Sequence, residues 1–353
     1  MFADAFGAME KAIAARAFPC ASIAVTASGS LVAQKAFGRF TFETDSPVVS
    51  ADTIFDLASV TKVVATTAMA MILYDRGLLD LEAPVVGVLP EFASGDARRS
   101  EVTFGMLLAH SSGLPAYEKL FLRASTRETL LEEAFKVPLK HSPGTHAEYS
   151  DIGFILLGAA LQRIGGETLD RFCQRELFGP LGMAHTTFNP PVEWRQRIPP
   201  TADDKTSRRR PIQGEVQDEN TSVLGGVAGH AGLFSTAKDV AMFAQCMLHG
   251  GTPVLRPETV ALFTRRESSP SGTSRALGWD TPSAPSQSGK YFSAGSFGHL
   301  GYTGTSLWID PVRQLSITLL TNRTWPDCSN LAIKQVRPQF HDAVVEALDR
   351  AAS

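Results

Sequence analysis

The chain of 353 residues is 44% hydrophobic and 20% charged, and its formal net charge is −3. This length allows two domains or one elaborate domain, and the balanced charge argues against a nucleic-acid partner, which would require a strongly basic face. The four cysteines lie far apart, and no cysteine or histidine spacing is that of a zinc site, so we expect no disulfide framework, no metal and no other cofactor.

The N-terminal pattern predicts an amphipathic helix over residues 4–17, a hairpin of strands 20–27 and 31–37, and an apolar helix over 59–76 that ends at Gly77. The first residues lack the basic and apolar segments of a secretory leader, and no uncharged run is long enough to span a bilayer. We therefore expect a cytoplasmic protein without membrane contact, or a periplasmic one if a leader has been removed.

Residues 100–185 have a helical pattern, with one helix opened by the capping box at 125–128 and another following Asp151. Residues 186–222 are polar and predict a long surface connection. After a glycine-rich turn, the predicted elements are a helix at 236–248, strands at 277–280, 305–310 and 315–321, and a final helix at 338–351. Strands near both ends, with helices between them, predict one sheet assembled from both termini and a helical insert beside it.

Lys62 is informative because it is a charge in an otherwise apolar helix, where the next charge is Asp75. Burying an ammonium group without partners is costly. Residues three apart share one helix face, so we expect Lys62 to lie beside the hydroxyl of Ser59. Such a pair can activate a serine without a histidine triad. The alternative, in which Ser59 only caps the helix, leaves the buried lysine unexplained.

A second Ser-x-x-Lys sequence begins at Ser235, but its context is different. Thr236 followed by Asp239 is typical of a helix N-terminal cap, and Lys238 then falls in an exposed first turn. We interpret this match as the start of a helix and assign it no chemistry.

Two other segments could supply partners for Ser59. Tyr149 and Asp151 stand just before a predicted helix, where the alternative interpretation is a cap by Asp151 with a packed tyrosine. The segment 297–305 combines His299 with three glycines, and glycine allows the backbone to approach a ligand closely. The alternative there is a bulged strand edge with a structural histidine.

The order Ser-x-x-Lys (Ser59, Lys62), Tyr-x-Asp (Tyr149, Asp151) and His-x-Gly (His299, Gly301) resembles the penicillin-recognising serine hydrolases. It is most similar to the branch of class C β-lactamases, D-alanyl-D-alanine carboxypeptidases and family VIII carboxylesterases, and the likeness spans nearly the whole chain. The resemblance implies an α/β fold of the α+β type, with an antiparallel sheet flanked by helices and formed by residues 1–58 and 225–353. It also implies a mainly helical domain over 59–224 and an active site in the cleft.

The resemblance implies a role for each residue of the three motifs. Ser59 would be the nucleophile, Lys62 and Tyr149 would share the proton transfers, and the backbone N–H groups of Ser59 and Tyr302 would form the oxyanion hole. The residues that would bind or support the substrate are Asp151, His299 and Gly301.

This chain departs from the family pattern at Asp151, where asparagine is more common. A carboxylate there favours the charged ammonium of Lys62, which makes a neutral lysine a poor general base. We therefore hypothesise that Tyr149 takes the serine proton and that the field of Lys62 lowers the pKa of the phenol.

The second departure is Leu300, which replaces a hydroxyl residue that helps to bind the carboxylate of a β-lactam or peptide terminus. With His299 in place of a permanent lysine charge, the site is expected to suit neutral esters with short acyl chains. A different register, with Tyr302, Thr303 and Gly304 as the third motif, would restore the threonine.

The sequence therefore predicts a serine hydrolase that works through an acyl-enzyme, acting as a carboxylesterase on small esters. The absence of a Gly-x-Ser-x-Gly sequence excludes the α/β-hydrolase triad. A β-lactamase or D-alanyl-D-alanine carboxypeptidase with the same machinery is the first alternative, so the expected partner is a small ester or β-lactam-like substrate. The others are a penicillin-binding sensor that acylates without turnover and a catalytically inactive relative. The oligomeric state is not predicted.

Overall fold

The computed structural model describes residues 1–352, which form ten strands and ten α-helices. The strands are β1 (Cys20–Ala27), β2 (Ser30–Gly38), β3 (Phe55–Asp56), β4 (Thr187–Phe188), β5 (Ala202–Asp204), β6 (Arg210–Ile212), β7 (Leu233–Ser235), β8 (Phe297–Leu300), β9 (Ser306–Asp310) and β10 (Leu315–Thr321). The helices are α1 (Ala3–Ala14), α2 (Ala68–Asp75), α3 (Phe104–Leu108), α4 (Arg127–Lys136), α5 (Asp151–Gly165), α6 (Leu169–Cys173), α7 (Glu219–Val223), α8 (Ala237–Leu248), α9 (Pro257–Thr264) and α10 (Ile333–Ala352).

The main sheet has five antiparallel strands in the order β2-β1-β10-β9-β8. Strand β1 pairs with β10 from Ala21 opposite Thr321 to Ala27 opposite Leu315, so the two ends of the chain share one sheet. Alternate residues face opposite sides of a strand. Ile23 therefore packs towards α1 and α10, whereas Ala24 packs towards α8. A mixed α/β fold with an antiparallel sheet is thus confirmed.

The helices of the middle of the chain pack around the segment that follows Ser59. This segment begins as a tight 3₁₀ turn at Ala58–Val60, widens to π-helical turns over Lys62–Thr67, and continues as α2. Every side chain from Val60 to Leu73 is buried. Wide π turns inside a helix are often found at functional sites, and here they coincide with the buried lysine.

Three predicted elements are wrong in detail. No strand forms at 277–280, because Gly278 has φ +85°, which is outside the extended conformation of a strand,. The edge strand is β8 instead, joined to this region by a single bridge at Asp280. The connection at 186–222 contains β4, β5, β6 and α7, and the last helix begins five residues earlier than predicted, with Pro338 inside it.

Among residues 1–352, no helix combines the length and the apolar character that a bilayer span would require.

Candidate active site

A cavity of about 680 Å³ opens where the edge strand β8, the turn before Ser59 and the start of α5 meet. This volume is within the range of small-molecule sites. The lining residues are Ala58, Ser59, Ala116, Tyr117, Lys119, Tyr149, Asp151, Gln217, Asp218, Glu219, His230, Ala231, Arg275, Asp280, His299, Leu300, Gly301, Tyr302 and Cys328. Three distant segments of the sequence therefore meet here, as the motif order predicted.

Lys62 is fully buried and lies at the centre of the site. Its Nζ is 3.1 Å from Ser59 Oγ, 2.6 Å from the Tyr149 hydroxyl oxygen, 2.6 Å from Asp151 Oδ1 and 3.1 Å from the backbone oxygen of His230. An ammonium has three hydrogens for these four acceptors. The two contacts at 2.6 Å and the backbone oxygen can take all three, which leaves Ser59 Oγ free to accept from another donor.

The charge state of Lys62 follows from its neighbours. Burial lowers the pKa of the ammonium, but the charge of Asp151 and the contacts with Tyr149 outweigh burial and raise the pKa above its ordinary value. Lys62 is therefore an ammonium at neutral pH, as the presence of Asp151 predicted.

The phenol of Tyr149 differs from the expectation. Burial, followed by the charge of Asp151, raises the pKa of Tyr149 to about 12, although Lys62 and a hydrogen bond with Ser59 act in the opposite direction. The predicted lowering of this pKa is thus wrong, because it considered one neighbouring cation and left out desolvation and the anion beside it. In the resting site both Tyr149 and Lys62 carry their protons.

The start of α5 places Tyr149 and Asp151. Ser150, and not Asp151, caps this helix, since its hydroxyl accepts a hydrogen bond from the N–H of Gly153 at 3.0 Å. The N–H of Ser150 donates to His110 Nδ1 at 3.0 Å, and the His110 ring lies 4.8 Å from the Tyr149 ring. Asp151 is thereby left free to face Lys62. The alternative interpretation of Asp151 as the cap is wrong.

His299 lies on β8, with its ring 5.9 Å from that of Tyr149. Burial, with the charges of Lys62 and Arg275, lowers the pKa of His299 well below its ordinary value, so the ring is neutral. Nδ1 lies 2.8 Å from the backbone oxygen of Leu300, which fits an N–H donor there. Within the described residues Nε2 is buried without a hydrogen-bond partner.

Gly301 and Tyr302 follow β8, and Gly301 packs against the turn that precedes Ser59. A Cβ at Gly301 would lie 1.9 Å from Thr305 Oγ1 and 2.6 Å from the backbone oxygen of Leu57, so only glycine fits this contact. The Thr303 hydroxyl points away from the cavity and donates to the backbone oxygen of Asp56 at 2.9 Å. The alternative register that used this threonine for substrate binding therefore has its hydroxyl occupied elsewhere.

Sequence reasoning missed the ionic groups at the cavity wall. Arg275 has its guanidinium 5.5 Å from the Tyr149 ring, and its one ion pair, with Asp280, is long at 3.6 Å. The side chain of Arg275 makes no hydrogen bond to any residue in the described part of the chain. Asp218 pairs with His230 at 2.8 Å, which helps to hold the pKa of Asp218 at about 2 although burial opposes this. Arg275 lies in an irregular segment that no pattern connects to Ser59.

The arrangement places Ser59 beside two protonated groups, Lys62 and Tyr149, which contact each other. One proton has to leave the pair of Lys62 and Tyr149 before the pair can accept the proton of Ser59, so the two residues titrate as a unit. Among the described residues, no group of three or more His, Cys, Asp or Glu side chains is placed to hold a metal ion.

Comparison with known proteins finds relatives that span most of the chain. The family model described as Beta-lactamase matches residues 6–336. An N-acetylmuramyl-L-alanine amidase of Bacillus subtilis (strain 168) is 34% identical, over 89% of this chain and 79% of the relative. A putative D-alanyl-D-alanine carboxypeptidase of Salmonella agona (strain SL483) is 32% identical, over 89% of this chain and 81% of the relative.

A similar fold occurs in the solved structure of EstCE1, described as a hydrolase with promiscuous acyltransferase activity. The TM-score is 0.79 at 22% sequence identity, over 96% of this chain and 97% of EstCE1. This likeness concerns the fold. The resemblance stated from the three motifs is confirmed.

Proposed function

Because the chain belongs to the beta-lactamase family, we propose that it is a serine hydrolase that forms an acyl-enzyme on Ser59 and cleaves small esters. The observation that carries the proposal is the fully buried ammonium of Lys62, in contact with the Ser59 hydroxyl, the Tyr149 phenol and Asp151. A lysine with only a structural role does not explain why its serine and tyrosine partners both line a cavity.

In the proposed reaction, Ser59 Oγ attacks the ester carbonyl and its proton passes to Tyr149 in the singly deprotonated cluster, while Lys62 stays an ammonium. The backbone N–H groups of Ser59 and Tyr302 stabilise the oxyanion. When the tetrahedral intermediate collapses, Tyr149 returns the proton to the leaving alcohol. A water molecule then attacks the acyl-enzyme and gives a proton to Tyr149. Tyr149 returns this proton to Ser59 Oγ as the bond between Ser59 and the acyl group breaks and the acid is released.

The ester specificity rests on the strand beside the nucleophile. His299 is neutral, and Leu300 has no hydroxyl that could donate to a substrate carboxylate. A short neutral acyl group leaves no charge unpaired at these two residues. This supports a carboxylesterase over a hydrolase that binds an anionic acyl group on this strand.

A second candidate, an amidase or carboxypeptidase for a small peptide-like substrate, is favoured by Arg275. This cation lines the cavity beside Tyr149 and has donors free for a carboxylate. The names of the two relatives, an amidase and a putative carboxypeptidase, both describe cleavage of an amide bond and support the same candidate.

A substrate panel decides between the candidates. We would compare kcat/KM for p-nitrophenyl butyrate, nitrocefin and a D-alanyl-D-alanine peptide, with Ser59→Ala as the control, and detect the acyl-enzyme by mass spectrometry. A preference for the ester supports the carboxylesterase, and a preference for the lactam or peptide supports the second candidate. One equivalent of acylation without turnover would identify a sensor, and the absence of any adduct on Ser59 would reject a serine hydrolase.

Replacement of Arg275 by glutamine tests its role as a carboxylate anchor. A lost charge-assisted hydrogen bond lowers kcat/KM for a carboxylate-bearing substrate by about tenfold or more, while a neutral ester changes by less than about twofold. Lys119→Gln is the matched control, since Lys119 is an exposed cation that lines the same cavity. Equal losses for charged and neutral substrates would show that Arg275 only supports Tyr149.

Replacement of Asp151 by asparagine is expected to shift the pH–rate profile to lower pH. Asp151 raises the pKa of both Lys62 and Tyr149, so removal of its charge lowers both, and the cluster loses its proton at lower pH. Activity rises with pH as the cluster loses its proton. For each pH unit by which this rise moves to lower pH, the active form at neutral pH increases about tenfold. The measurement is kcat/KM for p-nitrophenyl butyrate against pH, and an unmoved profile would mean that the charge of Asp151 is not coupled to the reacting proton.

A further inference from the structure

The two proposed oxyanion donors stand on separate segments, and the turn before Ser59 connects them. In this turn Ala58 has φ +46°, a left-handed conformation that is unfavourable for a residue with a Cβ,. Such strain persists only where the surroundings enforce it. One side chain binds the backbone N–H of this strained residue directly.

That side chain is Asp56, which is buried with 1% of its surface exposed. Its Oδ1 accepts the N–H of Ala58 at 2.8 Å, and its Oδ2 accepts the N–H of Gln217 at 2.7 Å. The first bond holds the strained residue next to the nucleophile. The second ties the same carboxylate to the cavity wall, because Gln217 lines the cavity.

The backbone of the turn is also attached to the segment after β8. The Thr303 hydroxyl donates to the oxygen of Asp56 at 2.9 Å, and the Thr305 hydroxyl donates to the oxygen of Leu57 at 2.9 Å. Both threonines are fully buried. Tyr302, which supplies the second proposed donor, lies directly before Thr303, so these bonds fix the distance between the two donors.

We infer that Asp56 is a positioning residue that, with Thr303 and Thr305, sets the geometry of the oxyanion hole. Its second oxygen also attaches this turn to Gln217 in the cavity lining. The inference rests on the proposed acyl-enzyme function. A misplacement of about 1 Å can reduce a rate about 100-fold, and this carboxylate controls the backbone directly before the nucleophile.

The ionisation of Asp56 gives the inference a pH signature. Burial, which the nearby charge of Asp218 reinforces, raises the pKa of Asp56 to about 6, while the N–H groups of Gln217 and Ala58 and the charge of Arg208 oppose this. A protonated carboxyl has one oxygen that donates, so it can no longer accept both N–H groups well. The rate of acylation is therefore expected to fall as the pH drops through about 6.

The test compares Asp56→Asn with Asp310→Asn in the full chain. Asp310 is a matched control, because it is also fully buried and accepts N–H groups from two segments, Ser293 at 2.7 Å and Val312 at 3.0 Å, away from the cavity. The measurements are acylation by a fluorophosphonate probe, kcat and KM with p-nitrophenyl butyrate between about pH 5 and 8, and thermal unfolding.

We expect Asp56→Asn to lower kcat about 10- to 100-fold with little change in KM. The variant should also lose the additional decrease in rate below about pH 6, whereas Asp310→Asn should keep the wild-type kcat and pH profile. If Asp56→Asn does not fold, Thr305→Val carries the same test of kcat. Unchanged kcat in these variants, or an equal loss in Asp310→Asn, would overturn the inference. Absence of labelling in the wild type would instead reject the proposed function, so the two failures are distinguishable.

Discussion

Replacement of Lys62 by methionine is expected to lower the rate of acyl-enzyme formation by at least about 10³. Methionine keeps most of the volume of the buried side chain but removes the cation that contacts Ser59 and Tyr149 at 3.1 and 2.6 Å. Because Lys62 lowers the pKa of Tyr149, its loss also makes the phenol harder to deprotonate. The measurement is the single-turnover rate of acylation by p-nitrophenyl butyrate.

The same variant is expected to be less stable, since it leaves the carboxylate of Asp151 without its partner. Breaking a buried ion pair typically costs roughly 3–5 kcal/mol, and we expect the lower end because the Asp151 side chain is 18% exposed. The double variant Lys62→Met/Asp151→Asn removes the unpaired charge. It should recover thermal stability without recovering activity.

Recovery of activity together with stability in the double variant would contradict a catalytic role for Lys62. It would mean that the single variant was inactive because it was poorly folded. Acylation in Lys62→Met within about tenfold of the wild-type rate would have the same meaning, since a group that takes part in proton transfer contributes more than that.

The central pair of the site could be predicted from the sequence because one physical rule selects it. A lysine within an apolar helix requires polar partners, and helical spacing provides Ser59. Tyr149 and His299 required the motif order, because nothing local to them indicates that α5 and β8 meet at the same cavity. The hairpin β1–β2 followed from strand-like runs and turn residues, which are local signals. The sheet shared by both termini followed from the order of the elements, with strands near both ends and helices between them.

Two features depended on packing that the sequence does not show. Arg275 reaches the cavity from an irregular segment, held where Gly278 packs against Thr67. The pKa of Tyr149 is set by the balance of burial, an anion and a cation, and only the two charges could be anticipated from the motifs. Predicting the direction of the shift required the depth of burial, which depends on the whole tertiary structure.

Replacement of Tyr149 by phenylalanine distinguishes the two residues that could take the serine proton. If Tyr149 is the general base, kcat/KM falls by about 10²–10⁴ at every pH, since no other group replaces the phenol. The ring itself is kept, with its contacts to His110 and His299 at 4.8 and 5.9 Å, so the loss is not one of packing. Tyr117→Phe is the matched control, because Tyr117 also lines the cavity and burial also raises its pKa.

The alternative, with Lys62 as the base, leads to the opposite pH behaviour. Tyr149 raises the pKa of Lys62, so the phenylalanine variant would lower that pKa and make the neutral amine available at lower pH. Substantial activity, with the rise of activity with pH displaced towards neutral pH, would therefore identify Lys62 as the base. A uniform loss across the profile, with Tyr117→Phe unaffected, identifies Tyr149 as the base.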